Sequence, residues 1–170
     1  MQRRTFLSLI ASASAVILLP SSSFGYARNL TLYTQPFQTL FRLHQDLFAH
    51  SGIALILQNI NAVGYFSGVL DDAFISEDTK RFMRNGFTWL DENASKHYDK
   101  TYMQLDAPSR QNVLKHFSQT RRGHNWLVSI YSYFFEAMLC DPIYGANKDE
   151  SGWRYLNHHS GLPRPKMALS

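Results

Sequence analysis

The sequence predicts an all-α protein: an irregular bundle of about five helices with a turn-rich C-terminal lobe. Three observations carry this. Apolar residues recur at helical spacing through most of the chain from Pro36 onward. Helix starts stand at Ser76, followed by Glu77 and Asp78, and at Asp106-Ala107-Pro108. No segment alternates apolar and polar residues over the length of a strand.

The first residues are a separate unit. Arg3 and Arg4 are adjacent, and Thr5, Phe6 and Leu7 follow. An apolar stretch then runs to Leu19, diluted by Ser8, Ser12 and Ser14. This is the pattern of a twin-arginine export signal. It is too short for a spanning helix, which needs about 20 apolar residues. Gly25-Tyr26-Ala27 fits a small-x-small cleavage site, which divides the chain into a leader, 1–27, and a helical domain, 28–170. The alternative is an uncleaved amphipathic anchor. Losing Arg3 and Arg4 lowers the formal charge from +4 to +2. With no Lys/Arg run either, nucleic-acid binding has no support.

The helices follow in order. Pro36 suits a first turn, and Phe37, Leu40, Phe41, Leu47 and Phe48 share a face, with Arg42, Gln45 and Asp46 elsewhere. His44 lies on the apolar side and reads as a hydrogen-bonded core or boundary histidine. A second helix is expected from about Ile53 to Leu70, weakened by Gly64 and Gly68. The third is capped by Ser76, with Phe82, Met83, Phe87, Leu90 and Ala94 inward, Asp91 outward and Gly86 as a tolerated interruption. The fourth buries Val113, Leu114 and Phe117 and is expected to stop at Arg121-Arg122-Gly123. The fifth, about His124 to Leu139, is apolar on nearly all sides, which marks the centre of a bundle or a helix covered by a partner.

Chemistry-bearing motifs are scarce. The sequence has neither GxGxxG nor GxxxxGK[ST]. A lone Cys140 excludes CxxCH haem attachment and iron–sulfur ligation. The seven histidines form no HExxH and no i, i+4 pair. An export signal for folded cargo, on a chain with no cofactor motif, implies that the cofactor sits on a partner. Cys140 itself is either a buried inert thiol or half of an intermolecular bridge.

After the fifth helix the character changes. Asp141-Pro142-Ile143-Tyr144-Gly145-Ala146-Asn147 leads to Gly152-Trp153 through closely spaced turn formers. Pro142 fixes φ, and Gly145 and Gly152 are expected to supply unusual φ. Tyr144 and Trp153 either lock this lobe onto the bundle or present it to another protein. Gly161 to Lys166 reads as an extended tail.

This stretch closely resembles the D-P-x-Y-G-G-N-x-x-x-x-G-W signature of the gluconate 2-dehydrogenase subunit 3 family. Trp89-Leu90-Asp91, Tyr102 and Leu105-Asp106-Ala107-Pro108-Ser109-Arg110-Gln111 resemble the family's upstream segments, and the twin-arginine signal is typical of it. The family's second loop glycine is Ala146 here, so this position does not require positive φ, and its Pro-Gly turn is shifted to Gly161-Leu162-Pro163.

The resemblance implies a non-catalytic small subunit of a periplasmic FAD-dependent sugar, polyol or sugar-acid dehydrogenase. Such a subunit escorts a glucose-methanol-choline-like flavoprotein through the twin-arginine translocase. The resemblance places FAD in the flavoprotein and haem c in a membrane-bound multihaem cytochrome subunit, with no cofactor, metal or catalytic residue in this chain. It implies a loop of Asp141, Pro142, Tyr144, Gly145, Asn147, Gly152 and Trp153 that is structural or partner-binding, and it puts an intersubunit disulfide at Cys140 on an equal footing with a packed thiol. The competing readings are a free-standing periplasmic enzyme or small-ligand-binding protein, and a structural protein of the cell envelope.

Overall fold

Helix caps and apolar stripes set the element boundaries. The computed structural model describes residues 34–164 and residue 166. The leader, with Arg3, Arg4, Phe6, Leu7 and the cleavage position at Ala27, lies outside the described residues. Among the described residues there are six α-helices: α1 Phe37–Phe48, α2 Ala62–Asp71, α3 Glu77–Tyr98, α4 Ala107–Ser118, α5 Arg121–Leu139 and α6 Ser151–Tyr155. Short 3-10 turns join them, and the one β contact is an isolated antiparallel bridge between Ile60 and Asn147. The all-α expectation holds.

The N-caps are made by side chains that replace missing backbone partners. Ser76 accepts from the Thr79 N–H at 3.2 Å, and Asp106 accepts from the Ser109 N–H at 2.9 Å. Helix α5 packs against α2, α3, α4 and α6 and is the centre of the bundle. Its Trp126 is fully buried and donates its indole N–H to the Met83 carbonyl at 2.9 Å. Phe87 and Phe117 meet that indole edge-on at 5.1 and 5.9 Å between centroids. Gly86 is the seat of this ring rather than an interruption: a β-carbon there would collide with the Trp126 indole.

Three sequence expectations are corrected. The helix expected over 53–70 is broken: turns at Gly52–Leu55 and Leu57–Asn59 precede α2. The break arises because Ile60 is extended to bridge Asn147, the Asn61 N–H donates to the Ala146 carbonyl at 2.8 Å, and Asn61 Oδ1 caps α2 through the Gly64 N–H at 3.1 Å. Arg121-Arg122-Gly123 does not close the fourth helix. Thr120 caps α5 by accepting from the Gly123 N–H at 3.1 Å, so these residues are its first turn. Finally, Asp91, expected outward, is tied to the backbone, and Asp46, although off the apolar stripe, is enclosed. Asp46 is buried, and Asp91 accepts from the Tyr102 N–H at 2.8 Å.

His44 is buried against Phe134, with ring centroids 5.1 Å apart. Burial pushes its imidazole down to about 3, so the ring is neutral at physiological pH.

Candidate partner-binding site

The Asp141–Trp153 loop is built from its own side chains. Asp141 opens it, with Oδ1 accepting from the Ile143 N–H at 3.0 Å. That bond and the Arg164 guanidinium hold its carboxyl below the usual carboxylate range. Pro142–Tyr144 forms a 3-10 turn that ends on Gly145 at φ +79, the left-handed region expected of it. Gly152 differs from expectation. It lies within α6, and its requirement is steric, because a β-carbon would strike the Met138 carbonyl. The loop's other left-handed residues are Asp149 and Glu150, at φ 52 and 57. Ala146 is buried and outside the left-handed set, in keeping with the loss of the family glycine.

Asn147 is the hub of the loop. It is fully buried, its Nδ2 donates to the Cys140 carbonyl at 3.2 Å, and its Oδ1 accepts from the Gly152 N–H at 2.8 Å. One amide therefore ties the end of α5 to the start of α6. Trp153 adds a second tie, donating its indole N–H to the Leu139 carbonyl at 2.7 Å while buried to 6 % exposure. Arg164, from the tail, stacks 5.1 Å above the Trp153 ring and donates to Glu150 at 2.6 Å and to Asp141 at 3.3 and 3.4 Å. Sequence reasoning missed Arg164, since nothing in its spacing points to the loop.

Tyr144 is the outlier. It is 46 % exposed and stands with Gly145 on one wall of an open groove of about 500 Å³. The other wall is α2, with Gly64, Tyr65 and Gly68. Tyr65 donates its hydroxyl to Glu136 at 3.0 Å, and burial together with that carboxylate pushes the phenol up to about 12. Cys140 is half-buried at the end of α5, its Sγ donating to the Ala137 carbonyl at 3.3 Å. Burial pushes its thiol up, the opposite of an activated nucleophile.

The upstream segments form a second polar cluster. Arg110 grips buried Asp46 with two bonds of 2.7 and 3.1 Å, and the Tyr102 hydroxyl donates to the same carboxylate at 2.7 Å. Gln111 donates to the Asp46 carbonyl at 2.7 Å, and Arg110 also reaches the Leu105 carbonyl at 2.6 Å. Burial and the adjacent Asp46 carboxylate push the Tyr102 phenol far up. Sequence reasoning singled out Tyr102, Arg110 and Gln111 but not Asp46. The available signal was an acid placed between Leu43 and Leu47.

Among the described residues no group of three or more His, Cys, Asp or Glu is placed to hold a metal ion, and no helix is long and apolar enough to cross a membrane. These features define a helical domain with a prebuilt, self-supported loop that turns Tyr144 outward. The chain belongs to the gluconate 2-dehydrogenase subunit 3 family, whose profile matches residues 46–161. That span begins at Asp46 and takes in both polar clusters except Arg164. The family is that of a subunit of a dehydrogenase complex. Comparisons with curated proteins and with solved structures gave no significant match.

Proposed function

We propose that this chain is the non-catalytic small subunit of a periplasmic FAD-dependent sugar, polyol or sugar-acid dehydrogenase. In this reading it binds the glucose-methanol-choline-like flavoprotein in the cytoplasm and carries it through the twin-arginine translocase. The observation that carries the reading is the family match over residues 46–161, joined to the Arg3-Arg4-Thr5-Phe6-Leu7 leader. The chain's own residues supply packing and a shaped loop. FAD belongs to the flavoprotein, and haem c to a membrane-bound cytochrome subunit that accepts its electrons.

The loop serves this role by being rigid before the partner arrives. Asn147, Gly152 and Trp153 are spent internally, while Tyr144 is left free to contact the flavoprotein. Cys140 sits beside this loop and bridges to the flavoprotein once both reach an oxidising space. In non-reducing electrophoresis of the thiol-blocked native complex, the chain should run with the flavoprotein and be released by reductant. Free migration removes the bridge.

The central test replaces Arg3 and Arg4 together by Lys. Periplasmic dye-linked dehydrogenase activity should collapse while the cytoplasm retains active flavoprotein. Undiminished periplasmic activity ends the escort reading.

A further inference from the structure

We infer that the outward face of α5 is the surface that receives the partner subunit, and that the partner presents there an apolar patch bordered by carboxylates. The inference rests on the small-subunit reading and names the face that reading leaves open.

Helix α5 is the central helix, yet among the described residues one of its faces is left exposed. Val128, Ser132, Phe135 and Leu139 are spaced by four, three and four residues and so lie on one stripe. Val128 is 50 % exposed, Phe135 38 % and Leu139 45 %. From Val128 to Leu139 the stripe runs about 16 Å. Beside its first turns is a groove of about 360 Å³, floored by Leu47, Leu114, Leu127 and Tyr131. Lys115 and His124 stand on the rim. The groove has room for one or two apolar side chains from outside, and a stripe running out of it extends the contact along the helix.

Charge says what borders the incoming surface. Arg121 and Arg122 occupy the first turn of α5, which holds no acidic residue. A helix N-terminus is the positive end of the macrodipole, so cations there are unfavourable and anions are favoured. The same chain obeys this rule at α3, which opens with Glu77 and Asp78. Lys96 and Lys115, in or near the last turns of α3 and α4, lie close by: Lys96 shares a pocket with Arg122, and Lys115 shares the groove with His124. The ion pair formed at this end is Arg122 with Glu92 at 3.6 Å, and both side chains are more than half exposed. Arg122 also lies 5.4 Å over the Trp89 ring. Arg121 and Arg122 therefore stand where the helix backbone disfavours positive charge, beside lysines placed where the ends of α3 and α4 favour it. Carboxylates from a partner would compensate both the arginines and the helix end, while an apolar patch covered Val128, Phe135 and Leu139.

The test uses the full chain co-expressed with the flavoprotein subunit. One variant carries Phe135→Glu and Leu139→Glu, a second carries Arg121→Glu and Arg122→Glu, and a third, Phe74→Ser, alters a side chain 98 % exposed on the α2–α3 connection. Flavoprotein recovered per small subunit is measured at low and high salt, with the melting temperature of each small subunit alone. The first two variants should lose at least tenfold in recovery; the first also gives up the Phe135 ring contacts with Phe48 and Phe134 and puts carboxylates at a helix C-terminus, so it should melt somewhat lower yet stay folded at the assay temperature. In the arginine variant the gain from carboxylates at the helix start is offset by loss of the Arg122–Glu92 pair and the Arg122–Trp89 contact, so it should melt within a few degrees of wild type and bind with weakened salt dependence. Phe74→Ser should bind as wild type. Normal recovery by both α5 variants overturns the inference while leaving the small-subunit reading intact. If wild type itself recovers no flavoprotein, both fall. If wild type sediments as a dimer that the α5 variants dissociate, a second copy occupies this face and the inference is wrong.

Discussion

Two buried polar side chains organise this molecule, and they work over different distances. Asp46 bonds to residues 56 to 65 positions away, joining α1 to the Tyr102 turn and to α4. Asn147 bonds to partners 7 and 5 positions away, within one loop. Asp46 is charged and needs a countercharge, because an unpaired carboxylate at 8 % exposure would bear the full desolvation penalty. Asn147 is neutral, and two backbone groups suffice. The difference separates assembly from shaping. The bundle's helices are fixed to one another by a charged, bidentate clamp that works only when the distant parts have come together. The loop is fixed to itself by a local amide, so it is rigid as a unit and free to use its outer surface for something else.

Breaking the clamp has the largest expected effect. Arg110→Ala leaves Asp46 buried and uncompensated and should cost about 3–5 kcal/mol, read as a lowered urea midpoint. Replacing both partners, Asp46→Leu with Arg110→Met, should recover most of that loss. If Arg110→Ala costs under ~1 kcal/mol, water solvates the site and the contrast with the loop disappears.

Breaking the hub is expected to be milder and more local. Asn147→Ala removes two buried bonds and leaves the Cys140 carbonyl and the Gly152 N–H without partners, a cost of about 1–3 kcal/mol for each buried group left unpaired. Amide hydrogen exchange should rise in 141–156 and along the Ile60–Asn61 contact, with the α3–α4 pair unchanged. Exchange rising evenly through the whole domain would mean that the loop is no separate unit.

The same difference in distance decides what could be read from the sequence. The caps at Ser76 and Asp106 were legible because the capping side chain and the N–H that donates to it lie three residues apart. The loop's turn at Gly145 was legible for the same reason. Thr120 was passed over because Arg-Arg-Gly carries the signals of a helix end, and the tertiary packing of α5 overrides them. The break at Ile60–Asn61 was illegible because it is imposed by Ala146 and Asn147, more than 80 residues later. Trp126 gave Gly86 its meaning in the same way, from 40 residues off. Of the loop, residue types announced a specified shape. They did not announce that Trp153 turns inward while Tyr144 turns out.

His44 sharpens the comparison on the clamp's side, since it sits on α1 two residues before Asp46. Its folded value near 3 lies below the ordinary 6.5 of an exposed imidazole. The unfolded chain therefore binds a proton that the folded chain refuses. Stability is unaffected above pH 6.5 and falls as pH drops below it, by up to about 1.4 kcal/mol per unit. Between pH 7 and 5 the wild type should lose part of its urea midpoint, and His44→Leu should show a flatter profile. Equal slopes would mean that His44 takes up its proton without leaving the core.

The smallest effect on stability is expected at Tyr144. Its ring is nearly half exposed and none of the loop's ties runs through its side chain, so Tyr144→Ala should change unfolding free energy by no more than about 0.5 kcal/mol. The Asn147 hub, the Trp153 bond and the Arg164 pairs all remain in place without it. Any effect must then come from outside the domain. Aromatic side chains left outward on a rigid frame are favoured contact residues, because little conformational entropy is lost when they bind. Recovery of the flavoprotein by Tyr144→Ala should therefore drop several-fold at an unchanged melting temperature. A variant that melts and binds as wild type confines the loop to bracing the end of α5 and leaves contact with the partner to the α5 face alone.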